Sequence, residues 1–104
     1  MKTAYVTAAC AGAALSVLAL ATPASAQNAN PQLLTVSCSG CHGPAGRSPG
    51  AMPSLYGRTS ASIAEALRDF GDGKRPSTVM VRFAKGYTDA EIDAVSREIS
   101  SNWK

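Results

Sequence analysis

Apolar positions fall into five stretches along the chain, and only the first is continuous. Tyr5 to Ala21 is an unbroken apolar run rich in alanine and leucine, followed by Pro23-Ala24-Ser25-Ala26. After it the apolar residues become periodic. Leu33, Leu34 and Val36 follow Asn30-Pro31, which reads as a helix N-cap with proline at the first helical position, opening a short helix that runs from Pro31 into Cys38 and Cys41 with those three as its packing residues. Gly43 to Gly57 carries Pro44, Pro49 and Pro53 and is loop by composition. Ile63, Leu67 and Phe70 recur at helical spacing, which predicts a helix over 62–70 with a Ser62-x-x-Glu65 capping box and Gly71 as its stop. Past the Asp72-Gly73-Lys74-Arg75-Pro76 loop comes a short helical piece bearing Met80 and Phe83 and closed by Gly86. Thr88-x-x-Glu91 is a second capping box, and it starts a last helix with Ile92, Val95 and Ile99 on one face and Trp103 near its end. No run alternates or concentrates β-branched residues, so the predicted class is all-α, with short helices and long loops.

The first stretch has a different meaning. Lys2 gives a short positive start, the apolar run follows, and Ala24-x-Ala26 is a small-residue cleavage pattern, so residues 1–26 read as a secretory leader. The alternative is an uncleaved membrane anchor, but the run is short of the ~20 apolar residues that span a bilayer comfortably. Cleavage after Ala26 takes 26 residues from 104 and leaves one domain of 78, residues 27–104, and removal of Lys2 lowers the net charge from +3 to +2. An exported chain of that charge is a poor nucleic-acid binder. A chain of this size rarely gains more than about 3–5 kcal/mol from its own core, so a bound group that completes the core is expected.

Cys38-Ser39-Gly40-Cys41-His42 supplies the candidate group. Residues three and four apart on a helix share a face, so both thiols and the imidazole can meet one flat ligand, and C-x-x-C-H is the attachment pentapeptide of c-type haem. The thiols would form thioethers and His42 would take one axial position on the iron. Ser39 and Gly40 are small and leave room for the macrocycle. A thioredoxin-like redox pair would need a βαβ unit that this pattern does not supply. Zinc would want more ligands, yet the third cysteine, Cys10, lies in the leader and His42 is the single histidine. A structural disulfide would leave the adjacent histidine unexplained.

A second axial ligand is sought among the methionines. Met1 goes with the leader. Met52 follows His42 too closely to come round the edge of the group, whereas the separation of Met80 leaves room for a loop, a helix and a return. Met80 is therefore the candidate ligand, against the plain alternative of a core methionine. Filling both axial positions leaves no open site on the iron, which argues for electron transfer; a haem enzyme or ligand sensor would need an open position.

With these motifs the chain resembles the class I c-type cytochromes across nearly all of its mature part. Pro53-Ser54-Leu55-Tyr56-Gly57 looks like that family's P-x-L-x-G element, which implies that the Pro53 carbonyl fixes the histidine ligand's other nitrogen. Ser77 to Ile92 is similar to the methionine-bearing segment of the haem subunit of flavocytochrome c sulfide dehydrogenase. That similarity implies a periplasmic partner, an FAD-containing subunit that oxidises sulfide and passes electrons singly to one covalent haem c. The chain itself would then be a non-catalytic carrier, with a freestanding shuttle to an oxidase or another dehydrogenase as the alternative. One departure is that Arg97-Glu98-Ile99 stands where family members commonly place aromatics in the last helix, and Trp103 comes later.

The remaining candidates are peripheral. Arg58 and Arg75 are placed to neutralise haem propionates, and Tyr56 to hydrogen-bond one, or to serve as an ordinary core tyrosine. Lys74, Arg75, Arg82 and Lys85 are either a docking edge or a solvated face.

Overall fold

The computed structural model describes residues 29–104. The leader and its cleavage point after Ala26 lie outside the described residues. The described chain is helical, with no strand: α1 Pro31–His42, a single 3-10 turn Pro44–Gly46, α2 Ser60–Gly71, α3 Met80–Lys85 and α4 Asp89–Asn102.

Helix α1 opens as its sequence predicts. The Asn30 side chain accepts a hydrogen bond from the Gln32 amide at 3.0 Å, and Pro31 fills the first turn, where its missing N–H costs nothing. It ends immediately after His42 because Gly43 adopts φ +85°, and a Cβ there would lie 2.3 Å from the Arg47 carbonyl oxygen. The buried face of α1 differs from expectation. Leu33 and Val36 are 71% and 65% exposed, while Thr35 is buried and Leu34 and Cys38 pack against the core. At about 100° per residue, the face that presents Cys38 and His42 inward also carries Thr35, which leaves Leu33 on the far side. The Thr35 hydroxyl satisfies itself by donating to the Gln32 carbonyl at 3.0 Å.

Helix α2 begins a little earlier than its sequence pattern suggests. Thr59, not Ser62, is the N-cap, its hydroxyl accepting from the Ser62 amide at 3.2 Å. Both residues are competent caps, and the earlier one adds Ser60 and Ala61 to the helix. Gly71 is the last helical residue rather than the residue beyond the end. Helix α4 has the expected reciprocal box, with Thr88 Oγ1 accepting from the Glu91 amide and a Glu91 carboxylate oxygen accepting from the Thr88 amide at 2.8 Å.

The core is small. Ile63, Ala64 and Leu67 of α2 meet Ile92, Val95 and Ile99 of α4, with Leu34, Leu55, Met80, Tyr87 and Trp103 at its margin. Phe70, expected in the same stripe, is only half-buried. Helix α4 packs on both α1 and α2, and α3 folds back on α2, where Ala84 comes within ordinary contact of a Cβ built on Gly71. Arg68 ties α2 to α4 at the surface, bonding Asp93 at 2.7 Å and Asp89 at 3.5 Å. Trp103 closes the last helix by packing on the 3-10 turn: a Cβ on Gly46 would sit 2.5 Å from its ring, and its carbonyl accepts from the Gly57 amide at 2.9 Å.

Candidate functional site

The elements surround an apolar cavity of about 420 Å³. Cys38, Cys41 and His42 come to its wall from the last turn of α1, Pro53 and Leu55 from the loop, and Ile63, Leu67 and Phe70 from α2. The far part is Pro76 to Met80 with Phe83, and Val95 and Ile99 of α4 close the base. The core stripes of α2 and α4 therefore serve twice, packing on each other and walling the cavity. Among the described residues its lining includes two arginines, Arg58 and Arg75, and no aspartate or glutamate.

His42 is buried, and its Nδ1 lies 2.6 Å from the Pro53 carbonyl oxygen. A carbonyl only accepts, so Nδ1 is the donor in this bond, and in the neutral imidazole this tautomer leaves the lone pair on Nε2 of a side chain that lines the cavity. The loop that carries Pro53 is itself held. The Gly46 carbonyl accepts from the Leu55 amide at 2.9 Å, the Tyr56 amide at 3.2 Å and the Ser54 hydroxyl at 2.7 Å. Gly46 can stand there because it takes φ +68° and leaves space for Trp103. The sequence's glycine and proline content marked this segment as loop, but nothing in the local pattern marked the pairing of Gly46 with Trp103.

The two thiols are unlike. Cys41 is exposed, and Cys38 is half-buried against the core. Burial pushes the Cys38 thiol above its ordinary pKa, so it is a protonated thiol at neutral pH. They are free cysteines, not a disulfide.

Met80 is half-buried, begins α3 and lines the cavity. Met52 lines it as well, at 42% exposure, next to Pro53 and hence on the side of His42. Arg58 and Arg75 are exposed residues at the cavity; the Arg58 Nε donates to the Ser54 carbonyl at 2.9 Å, and Arg75 lies over the Phe70 ring at 5.3 Å. Tyr56 is not among the lining residues. Its ring lies beneath the Arg47 guanidinium at 3.5 Å. Lys74 is paired with Asp72 at 3.0 Å, while Arg82 and Lys85 are exposed with no carboxylate partner among the described residues. Ser77, Thr78 and Tyr87 also reach the cavity; they lie within the segment Ser77 to Ile92 that carries the family resemblance, but neither hydrophobic period nor resemblance gives any of them a role of its own.

This donor set suits a flat, mostly apolar group that carries a metal. The walls are hydrocarbon, one imidazole nitrogen is not engaged by Pro53, two thioethers, Met52 and Met80, face the same space, two thiols stand at one edge, and among the described residues the charged lining side chains are Arg58 and Arg75. Among the described residues, no three His, Cys, Asp or Glu side chains converge into a metal cluster of their own. Short helices wrapped on such a cavity, with C-x-x-C-H at its edge, are consistent with a small class I cytochrome c fold.

No family model matches the chain. It is similar to the cytochrome subunit of sulfide dehydrogenase from Chlorobaculum tepidum, 49% identical over 65 residues that make up 62% of this chain and 59% of that protein. It is 35% identical over 65 residues to cytochrome c-552 from Acidithiobacillus ferridurans, covering 62% of this chain and 28% of that protein. It is 39% identical over 86 residues to a thiosulfate dehydrogenase electron acceptor from Thiomonas intermedia, covering 81% of this chain and 39% of that protein. In each case the match spans less than two thirds of the relative's length. Together with the fold, these likenesses support a small c-type cytochrome, and the cofactor they imply is haem c.

Proposed function

We propose that this chain is a periplasmic electron-transfer protein with one covalent haem c, released from a leader after Ala26 and ligated by His42 and Met80. Cys38 and Cys41 would hold the haem as thioethers, and the haem would supply a one-electron iron couple. The Pro53 carbonyl keeps the His42 ring in one orientation and one tautomer, and a polarised imidazole is a better electron donor to iron. The apolar walls from α2 and α4 keep water away, and methionine as the second ligand raises the potential. Arg58 and Arg75 are placed to offset the carboxylates of the group. With His42 and Met80 both committed to the group, the protein would carry electrons and leave substrate chemistry to a partner.

The observation that supports this reading is the gathering of Cys38, Cys41, His42 and Met80 on the wall of one apolar cavity, with His42 already bonded through Nδ1. The partner in this reading is another subunit of a sulfide dehydrogenase, because the relative at 49% identity is described as the cytochrome subunit of such an enzyme; that this partner carries FAD is part of the proposal and follows from the resemblance of Ser77 to Ile92. A second reading, a freestanding shuttle, draws on the relative described as an electron acceptor of thiosulfate dehydrogenase. No helix among the described residues is long and apolar enough to cross a membrane.

The test is an absorption spectrum recorded across a sizing column on protein purified from its native periplasm. Haem and flavin rising in one peak well above the mass of this chain is the expected result. Haem eluting alone at small size, with no flavoprotein recovered by crosslinking before lysis, overturns the subunit assignment in favour of the shuttle.

A further inference from the structure

Met80 stands just after a stretch of the cavity wall that has no main-chain bonds of its own among the described residues. It is the first residue of α3, which has only six residues, no acidic side chain in its first turn and no side-chain bond from Val79, the residue that precedes it. A helix that short does not hold itself. Upstream, the Lys74 and Arg75 amides are anchored on the Asp69 carbonyl at 2.9 and 3.1 Å. From Pro76 to Thr78, however, no main-chain group bonds another main-chain group among the described residues. A single side chain spans the gap: the Ser77 hydroxyl accepts a hydrogen bond from the Val81 amide at 2.9 Å, and Ser77 also lines the cavity.

We propose that Ser77 is a positioning residue for Met80, its hydroxyl closing the first turn of α3 so that the methionine sulfur is held toward the iron. The inference rests on the reading of Met80 as an axial ligand. The bond brackets Met80 on both sides in sequence. It satisfies an amide that has no carbonyl one turn back to receive it, and it draws the loop bearing Thr78 and Val79 against the start of the helix. Threonine keeps the acceptor, whereas alanine removes it. Ser77 is exposed, so replacing it leaves the buried core untouched.

The experiment uses the full chain matured with haem, comparing the parent with Ser77→Ala, Ser77→Thr and Met80→Ala. Two quantities are read: exchange of the Val81 amide by NMR, and the imidazole concentration that displaces the sixth ligand of the ferric protein, followed by its long-wavelength methionine band. Loss of a side-chain cap corresponds to a factor on the order of five. In Ser77→Ala, Val81 is expected to exchange about fivefold faster and imidazole to bind at about fivefold lower concentration, with Ser77→Thr like the parent. Parent-like imidazole binding in Ser77→Ala overturns the inference, whether or not Val81 exchange changes. So does a Ser77→Thr protein that behaves like Ser77→Ala. If Met80→Ala binds imidazole no more tightly than the parent and loses no band, the ligation reading itself fails. That outcome is separate from parent-like behaviour of Ser77→Ala alone, which leaves ligation standing.

Discussion

The two ends of the cavity are built to different standards. On the His42 side the imidazole is buried and bonded to Pro53, and the loop behind Pro53 is fastened by three bonds to one carbonyl, that of Gly46. Gly46 is in turn seated under Trp103 at the end of α4. On the Met80 side a six-residue helix follows an exposed segment, Asp72 to Val79, and one hydroxyl bonds its first turn. Val79 and Phe83, at 48% and 41% exposure, leave that side open to solvent. The proposed His42 ligand would thus be held by Pro53 and the anchored loop behind it, while the proposed Met80 ligand would rely on a short helix packed on α2 and on one side-chain bond. If both residues ligate a haem iron, this contrast would place adjustment of the potential and lability of ligation on the methionine side.

The largest effect is expected where the two sides meet the cofactor. Replacing both Cys38 and Cys41 with serine should abolish haem that survives denaturation, and His42→Ala should remove most of the haem that is otherwise retained, each checked by haem content per chain. Next comes the anchor of the His42 side. Gly46→Val requires a non-glycine residue at φ +68° with a Cβ 2.5 Å from the Trp103 ring, and should cost about 2–3 kcal/mol in denaturant unfolding, with broadened His42 signals. Met80→Ala should break the symmetry of the comparison. Because Met80 is only half-buried, the loss of folding stability is expected to be about 1–2 kcal/mol, below the range for fully buried methionine, while the low-spin spectrum disappears and the potential falls. A cost to stability equal to that of Gly46→Val, with an unchanged spectrum, would make Met80 a core residue. Thr88→Ala is the smallest. It removes one half of the α4 capping box for about 1 kcal/mol and should leave spectrum and potential where they are, because Thr88 does not line the cavity.

Local features carried much of this organisation in the sequence. Asn30-Pro31, Thr88-x-x-Glu91 and the Ile92, Val95, Ile99 stripe each act within a few residues, and α1 and α4 form where they indicate. The misreadings share a cause, which is that tertiary contacts decided between local alternatives. Of the expected packing residues of α1, Leu34 does meet the core, but the inward turn of Cys38 and His42 fixes the rotation of the helix, exposes Leu33 and Val36 and buries Thr35 in their place. Thr59 and Ser62 are both sound caps, and the choice of Thr59 adds Ser60 and Ala61 to α2. The 3-10 turn depends on positive φ at Gly43, Ala45 and Gly46, of which only the glycines are suggestive in sequence. The cavity wall was legible in its chemistry through Cys38, Cys41 and His42. The presence of Met52 beside it, the stacking of Tyr56 under Arg47 and the reach of Ser77 to Val81 arise from loop paths that no short pattern specifies.

The central claim is covalent attachment of haem at Cys38 and Cys41. It is tested most directly by expressing the full chain in a host with complete cytochrome maturation, denaturing it, and staining the separated polypeptide for haem while counting alkylatable thiols. The account predicts haem that stays with the mature chain and no free thiol at either position. A colourless chain with both thiols open to alkylation, or joined in a disulfide, would contradict it.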